Sequence, residues 1–270
     1  MAGESAISAW RPGVPGISEV FHAHFVRHAY PVHTHTVWTL LILDDGVLQY
    51  DLDRHEHGTL RSQVVLLPPH VPHNGRTAAP HGFRKRVLYL PEPALDERLI
   101  GPATDQPNLR DPLLWNRIGR LHDTLAAPGD ELEAESRLAF VVERLGAHLN
   151  HDLSGDPAGA GRRREPDRGL ADDLRDLLDA RVVAGLPLDE AAHLLHADST
   201  HLIRSFTRRF SLPPHLYLTG RRVELARRLL LDGVPAATVA TEVGFYDQSH
   251  LTRHFKRMLG VSPAKFAGRR

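Results

Sequence analysis

The chain has 270 residues, 41% of them hydrophobic and 24% charged, with 33 Lys/Arg against 33 Asp/Glu; this is room for two ordinary globular domains and excludes a disordered or highly charged chain. There is no cysteine, which excludes a disulfide framework and any thiolate metal site and fits a cytoplasmic protein. The opening residues lack the basic start and apolar run of a secretory leader, and no apolar stretch approaches the ~20 residues that span a bilayer, so no membrane partner is expected.

Residues 18–92 read as β structure. Val37–Leu43 is rich in apolar and β-branched residues and ends at Asp44-Asp45-Gly46, a hairpin signal. Val47–Asp53 alternates, Val64–Leu67 is closed by Pro68-Pro69, and Phe83–Leu90 alternates with Arg84 and Arg86 on one face and Phe83, Lys85 and Val87 on the other. Such strands suggest a small sandwich or barrel. From about residue 109 the period becomes helical. Leu113, Leu114, Ile118, Leu121 and Leu125 form one stripe, stopped by Pro128-Gly129, and Leu132, Leu138, Val141, Val142, Leu145 and Leu149 form a second. This hairpin over 106–150 can pack on the β domain or pair with a second copy, and a homodimer is the favoured expectation. Residues 151–168, rich in Gly, Pro and charge, read as a linker between a domain at 1–105 with its hairpin and a domain at 169–270.

Residues 170–185 read as a helix, and two similar units follow, at 187–210 and 235–259. In the first, Pro187 opens a short helix and Asp198 can cap a second with Leu202 and Phe206 inward. A long helix then runs from Pro213-Pro214 through Leu231 and ends at Asp232-Gly233. In the second unit, Pro235 to Val243 is the short helix, Gly244 the turn and Asp247 the cap of a helix with Leu251 and Phe255 inward. Charge sharpens the picture: residues 199–270 hold 13 Lys/Arg against 4 Asp/Glu, whereas residues 171–198 hold 2 against 7. A basic end suits a phosphate-backbone binder and, equally, a solvated surface.

The run Arg222–Leu230, Ala237–Lys256 with its Gly244-Phe245 and Gln248-Ser249, and Gly260-Val261-Ser262-Pro263 resembles the signature of the AraC/XylS family of bacterial regulators across about residues 170–268. The resemblance implies an α+β multidomain protein: an N-terminal cupin-like β-barrel with a helical hairpin, and a C-terminal all-α double helix-turn-helix domain. It implies a sequence-specific transcriptional regulator, not an enzyme and without a cofactor, that binds double-stranded operator DNA, answers to a small-molecule effector, and has RNA polymerase as a candidate further partner. By position, Thr200, Ile203, Arg204, Gln248, Ser249 and Arg253 match base-facing places, and Arg208, Arg222 and Lys256 match phosphate-facing ones. The first unit departs from the pattern, with His196 where the turn glycine usually stands.

Ten of the 19 histidines lie between His22 and His81. His33-Thr-His35, with Pro68-Pro-His70-Val-Pro-His73 downstream, resembles the two cupin motifs; His33, His35 and His73 match three metal-ligand places, but the glutamate is missing. No metal is the expectation; were one bound, these three would hold it. A polar effector pocket, a metal site and purely structural histidines remain open. Candidate pocket residues are His33, His35, Trp38, Tyr50, His73, Arg84 and Arg86, the arginines favouring an anion if they face inward. The alternative function is a metal-dependent cupin oxygenase or isomerase fused to a DNA-binding module.

Overall fold

The computed structural model describes residues 6–59, 61–127, 129–154 and 169–267. Ten strands come first, β1 (Ala6–Trp10), β2 (Glu19–Phe25), β3 (Ala29–His33), β4 (Trp38–Gly46), β5 (Leu48–Leu52), β6 (His55–Thr59), β7 (Val64–Leu67), β8 (His73–Thr77), β9 (Phe83–Leu90) and, after a short helix α1 (Ile100–Asp105), β10 (Asn108–Leu109). The strands form a six-stranded sheet in the order β1-β2-β9-β4-β7-β10 and a four-stranded sheet in the order β3-β8-β5-β6. β1 lies outside the span read as β structure. Gly46 does not turn a hairpin: β4 pairs with β7 and β9, while β5 pairs with β6 and β8, so the chain crosses between sheets there. A glycine is required at the crossing, because φ is +82° and a Cβ would lie 2.2 Å from the Gly82 carbonyl.

The six-stranded sheet is covered on both faces, which is why β7 and the first six residues of β4, Thr39 excepted, are apolar on both sides. One face carries Val20, Trp38, Leu40, Ile42, Leu88 and Leu90 against the helical hairpin α2 (Pro112–Ala126) and α3 (Glu131–Ser154), which contributes Leu114, Ile118, Leu121, Val141 and Leu145. The other face carries Phe21, Leu41, Leu43, Val65, Val87 and Tyr89 toward the smaller sheet. The hairpin therefore spends its stripe on its own sheet, which removes the argument that only a second copy could bury it; Leu113 and Leu132, expected inward, are 47% and 78% exposed. Pro128 and most of the 151–168 span lie outside the described residues, and α3 runs to Ser154, into that span.

The C-terminal helices are α4 (Leu170–Ala180), α5 (Leu188–Leu194), α6 (Ser199–Phe210), α7 (Pro214–Leu231), α8 (Ala236–Glu242), α9 (Gln248–Leu259) and α10 (Pro263–Ala267). α4 stops five residues short of the expected 185, in a turn that ends at Gly185 with φ +78°. Leu174, Leu178, Leu202, Phe206, Phe210 and Tyr217 make one core. Val223, Ala226, Val239, Leu251, Phe255 and Phe266 make a second, continuous with the interior of the β domain. The long helix α7 is the shared wall of both.

Candidate functional site

The two helix-turn-helix units are built alike. The Asp198 carboxylate accepts from the His201 N–H at 3.0 Å and the Asp247 carboxylate from the His250 N–H at 2.6 Å, capping α6 and α9. Leu202, Phe206 and Phe210 on α6 correspond in spacing to Leu251, Phe255 and Leu259 on α9, and all six are buried. With the inward rows fixed, Thr200, Ile203, Arg204 and Arg208 on α6, and Gln248, Ser249, Arg253 and Lys256 on α9, are left exposed. His196 adopts φ +48° where Gly244 adopts +87°, so the first turn keeps its left-handed residue without a glycine. The second turn is one residue longer and presents Tyr246, 89% exposed, immediately before the cap of α9; the sequence reading passed over it.

Arg222 is placed otherwise than the family position implies. Its Nε donates to the Val182 carbonyl at 2.8 Å and a terminal nitrogen to the Val183 carbonyl at 3.2 Å. The guanidinium thus fastens α7 to the end of α4, and its donors are directed at protein carbonyls instead of phosphate.

The second constellation is a cavity of about 60 Å³ inside the β domain, closed by α7 and α9. Its walls include Phe21, Tyr30, Thr39, Tyr50, Lys85 and Tyr89 from the strands, His33, His35 and His73, and Val223, Glu224, Arg227 and Leu259 from the helices. Of the residues proposed for a pocket, the three histidines and Tyr50 are here; Trp38, Arg84 and Arg86 are not. Strand parity decides this. Trp38 pairs with Leu90 and Ile42 with Arg86, on the face turned to the hairpin, so the cavity receives Thr39 and Lys85 instead. Arg86 forks onto Asp44, at 2.8–3.1 Å, and reaches the Gly119 carbonyl on α2; Arg84 is exposed.

The cavity is electrostatically unusual. Lys85 makes no salt bridge among the described residues; its ammonium lies 4.3 Å from the centre of the Tyr30 ring, and burial, with Arg227 nearby, pulls its pKa down to about 7. Arg227 is buried against Glu19 and lies 4.7 Å over the Tyr89 ring. Burial raises the Glu19 carboxyl against the pull of that guanidinium. Burial holds all three histidines neutral, His33 and His35 well below the ordinary imidazole range and His73 at about 4. Tyr30 Oη, Thr39 Oγ1 and Arg227 Nε, three buried polar atoms on this one cavity, have no hydrogen-bond partner among the described residues. The histidine motifs pointed to this cavity, and the lone lysine on the apolar face of Phe83–Leu90 was a further sequence signal that the reading did not use.

Comparison with known proteins follows the same division. Residues 15–140 match the AraC-like ligand binding domain model and residues 191–269 a helix-turn-helix domain model. The chain belongs to the AraC/XylS family. The AraC-type regulator is 24% identical over 242 residues to the uncharacterized HTH-type transcriptional regulator YbfI of Bacillus subtilis, covering 86% of this chain and 85% of that one. It is 24% identical to the arabinose operon regulatory protein of Salmonella typhimurium, covering 94% and 96%. A ToxT structure from Vibrio cholerae superposes with a TM-score of 0.62 over 99% of this chain and 97% of that chain at 11% identity, which shows a common fold. The family is one of transcriptional regulators, and its two parts here are a ligand-binding β domain and a DNA-binding helical domain. Among the described residues, no helix of this AraC-type regulator is long and apolar enough to cross a membrane.

Proposed function

We propose that this AraC-type regulator works in the cytoplasm, reads a specific operator with α6 and α9, and is controlled by a small carboxylic acid held in the cavity beneath α7. One observation carries the control: the cavity has walls from both the β domain and the DNA-binding helices, and among the described residues it holds polar atoms without partners beside a Lys85 that meets aromatic rings and no carboxylate. Buried polar groups are normally satisfied, so such a cluster is the signature of a binding site. The amine of Lys85 supplies the counter-charge for a carboxylate, and Phe21, Tyr30 and Leu41 an apolar wall for a small organic body. A ToxT chain of the same fold has been crystallised with an unsaturated fatty acid, another carboxylic acid. A ligand here acts on DNA binding only if it prefers one arrangement of the two halves.

In this reading residues 1–105 sense, 106–150 buttress, 151–168 connect and 169–270 bind DNA. Arg204 and Arg253 meet guanine edges, Gln248 adenine; Thr200, Ile203 and Ser249 complete the base contacts, and Arg208, Lys256 and Tyr246 take the phosphate rim. A homodimer would use what the hairpin leaves exposed, Phe140 with Leu113 and Leu132.

Thermal shift with a panel of short carboxylic acids and their amides tests the effector. At about 100-fold excess over Kd an acid adds about 2.7 kcal/mol, and Lys85→Met abolishes that gain; equal response to acid and amide overturns the reading. For DNA, Arg253→Ala weakens operator binding by at least tenfold and random-sequence binding far less, since a good base contact is worth about 1–3 kcal/mol. Equal loss on both would reduce Arg253 to a phosphate contact.

A further inference from the structure

We propose that a second cavity, between β1 and the turn that joins α2 to α3, is a binding site for a small organic ammonium ion with an apolar body. It shares no lining residue with the cavity beneath α7. The proposal goes beyond the effector reading and stands whether or not an acid binds beside Lys85.

The cavity measures about 590 Å³, within the roughly 300–1,000 Å³ range of small-molecule sites. Strand pairing builds one wall. Ser8 on β1 is the register partner of His22 on β2, and Trp10 follows two residues later, so all three share one face of the sheet. That face is the one turned to the hairpin, since Val20, the partner of Trp10, packs there. The indole of Trp10 is held in place from two sides. Its Nε1 donates to the Leu125 carbonyl at the end of α2 at 3.2 Å, and its ring stands edge-on to the His22 ring with centroids 5.0 Å apart. An indole fixed before the ligand arrives is a preorganised platform, and its face attracts a cation within about 6 Å.

The charges on the walls select the sign of the ligand. Asp130 and Glu131 both line the cavity, and among the described residues neither carboxylate has an ion-pair or hydrogen-bond partner. The positive end of α3 offsets only about half of one charge. The opposite wall is the last turn of α2, which carries no basic side chain, so its negative end is uncompensated. Two groups on the cavity are basic, and neither opposes a cation strongly. Arg11 is matched by Asp232 at 2.6 Å. His22 is neutral at pH 7, because burial, with Arg86 nearby, lowers it to about 4. What remains is two free carboxylates across from an indole, with Val14, Leu125 and Ala134 as apolar lining. This is complementary to an ammonium group on an aryl or alkyl body.

The position gives such a ligand a hold on both halves of the molecule. Leu231 at the end of α7 and Ala267 of α10 complete the lining, and the Arg11–Asp232 pair joins the same two parts. An occupied cavity therefore touches the sensing strands, the hairpin and the DNA-binding helices together.

Calorimetric titration of the full chain with 2-phenylethylamine, and in parallel with its neutral isostere 2-phenylethanol, tests the proposal. The expected result is saturable 1:1 binding of the amine, at least tenfold tighter than the alcohol. It is weakened at least tenfold in Asp130→Asn/Glu131→Gln and in Trp10→Leu, and unchanged in Asp189→Asn/Glu190→Gln, which removes an acidic pair at the start of α5. No saturable binding, equal binding of amine and alcohol, or binding that survives Asp130→Asn/Glu131→Gln overturns it. Binding that is lost in Lys85→Met overturns it as well, by placing the amine in the other cavity. Asp130 and Glu131 are exposed, so their double variant decides the matter should Trp10→Leu fail to fold.

Discussion

Gly244 answers to two constraints at once. Its φ is +87°, and a Cβ there would lie 2.3 Å from the Val183 carbonyl and 2.9 Å from Arg222 Nε, groups that are themselves bonded partners or neighbours in the α4–α7 joint. Gly244→Ala should therefore cost more than the ~1–2 kcal/mol of a left-handed alanine, since backbone must also move; urea unfolding would record the loss, and operator affinity should fall with it. His196 carries only the first of these constraints, at φ +48°. His196→Gly should leave stability equal or raise it by up to about 1 kcal/mol, relief of strain being partly offset by the freer unfolded chain. Opposite signs at two equivalent turns are the check. Lys85 and Thr39 make the same point about position: each enters the cavity, and Arg86 and Trp38 do not, through a shift of one residue along a strand.

At the level of elements, one polar cluster ties α2 to α3 and a second ties the hairpin to its sheet. Asp111 caps α2 by accepting from the Leu113 and Leu114 N–H groups, both at 3.0 Å, and also binds Arg144 and His148 on α3. Burial opposes its charge, but Arg144, His148 and the Leu114 N–H prevail and hold the carboxyl below its usual range. Asp111→Ala loses the cap and leaves Arg144 without its anion, a cost of about 2–4 kcal/mol that calorimetry would register as a lower Tm. The second cluster joins His22 on β2 to His122 on α2, with Nε2 and Nδ1 3.1 Å apart. Burial, aided by Arg86, lowers His22 to about 4, and burial takes His122 well below its ordinary value. Both are neutral in the native state at pH 7. Below pH 6.5 the unfolded chain takes up protons that the native one refuses until about pH 4, so stability falls across that window. The Asp111 contribution is lost lower still, as its carboxyl protonates. Tm measured from pH 7.5 to 4.5 should drop steeply, and His22→Leu/His122→Leu should flatten the slope.

At the scale of the whole molecule, the two halves share one interior. Arg227 of α7 is buried against Glu19 of β2, Thr36 donates to Glu224 at 3.2 Å, Arg11 meets Asp232 at 2.6 Å, and Gly260 lies against Phe25 and His28. The Arg227–Glu19 pair is the one fully enclosed, and removing one partner of such a pair costs about 3–5 kcal/mol because the other charge is stranded. Glu19→Gln should therefore lower stability by that order and uncouple the halves, turning one calorimetric transition into two. A single unshifted transition would mean that the apolar surface alone joins them.

Local chemistry was legible in the residues alone: the capped, doubled helix-turn-helix units with their buried Leu and Phe rows, the change from period 2 to period 3.6 near residue 109, and the family to which these residues point. Helical periodicity, Asp caps and a turn glycine act within a few residues, so they are readable without a fold. Long-range packing fixed the rest: which strand face meets the cavity, that the hairpin covers its own sheet, that Gly46 crosses between sheets, and that α7 and α9 roof the histidines. A strand buried on both sides carries no polar face to mark its direction. Glu19 and Arg227 are 208 residues apart in sequence, and closure of the chain alone brings them together beside Lys85.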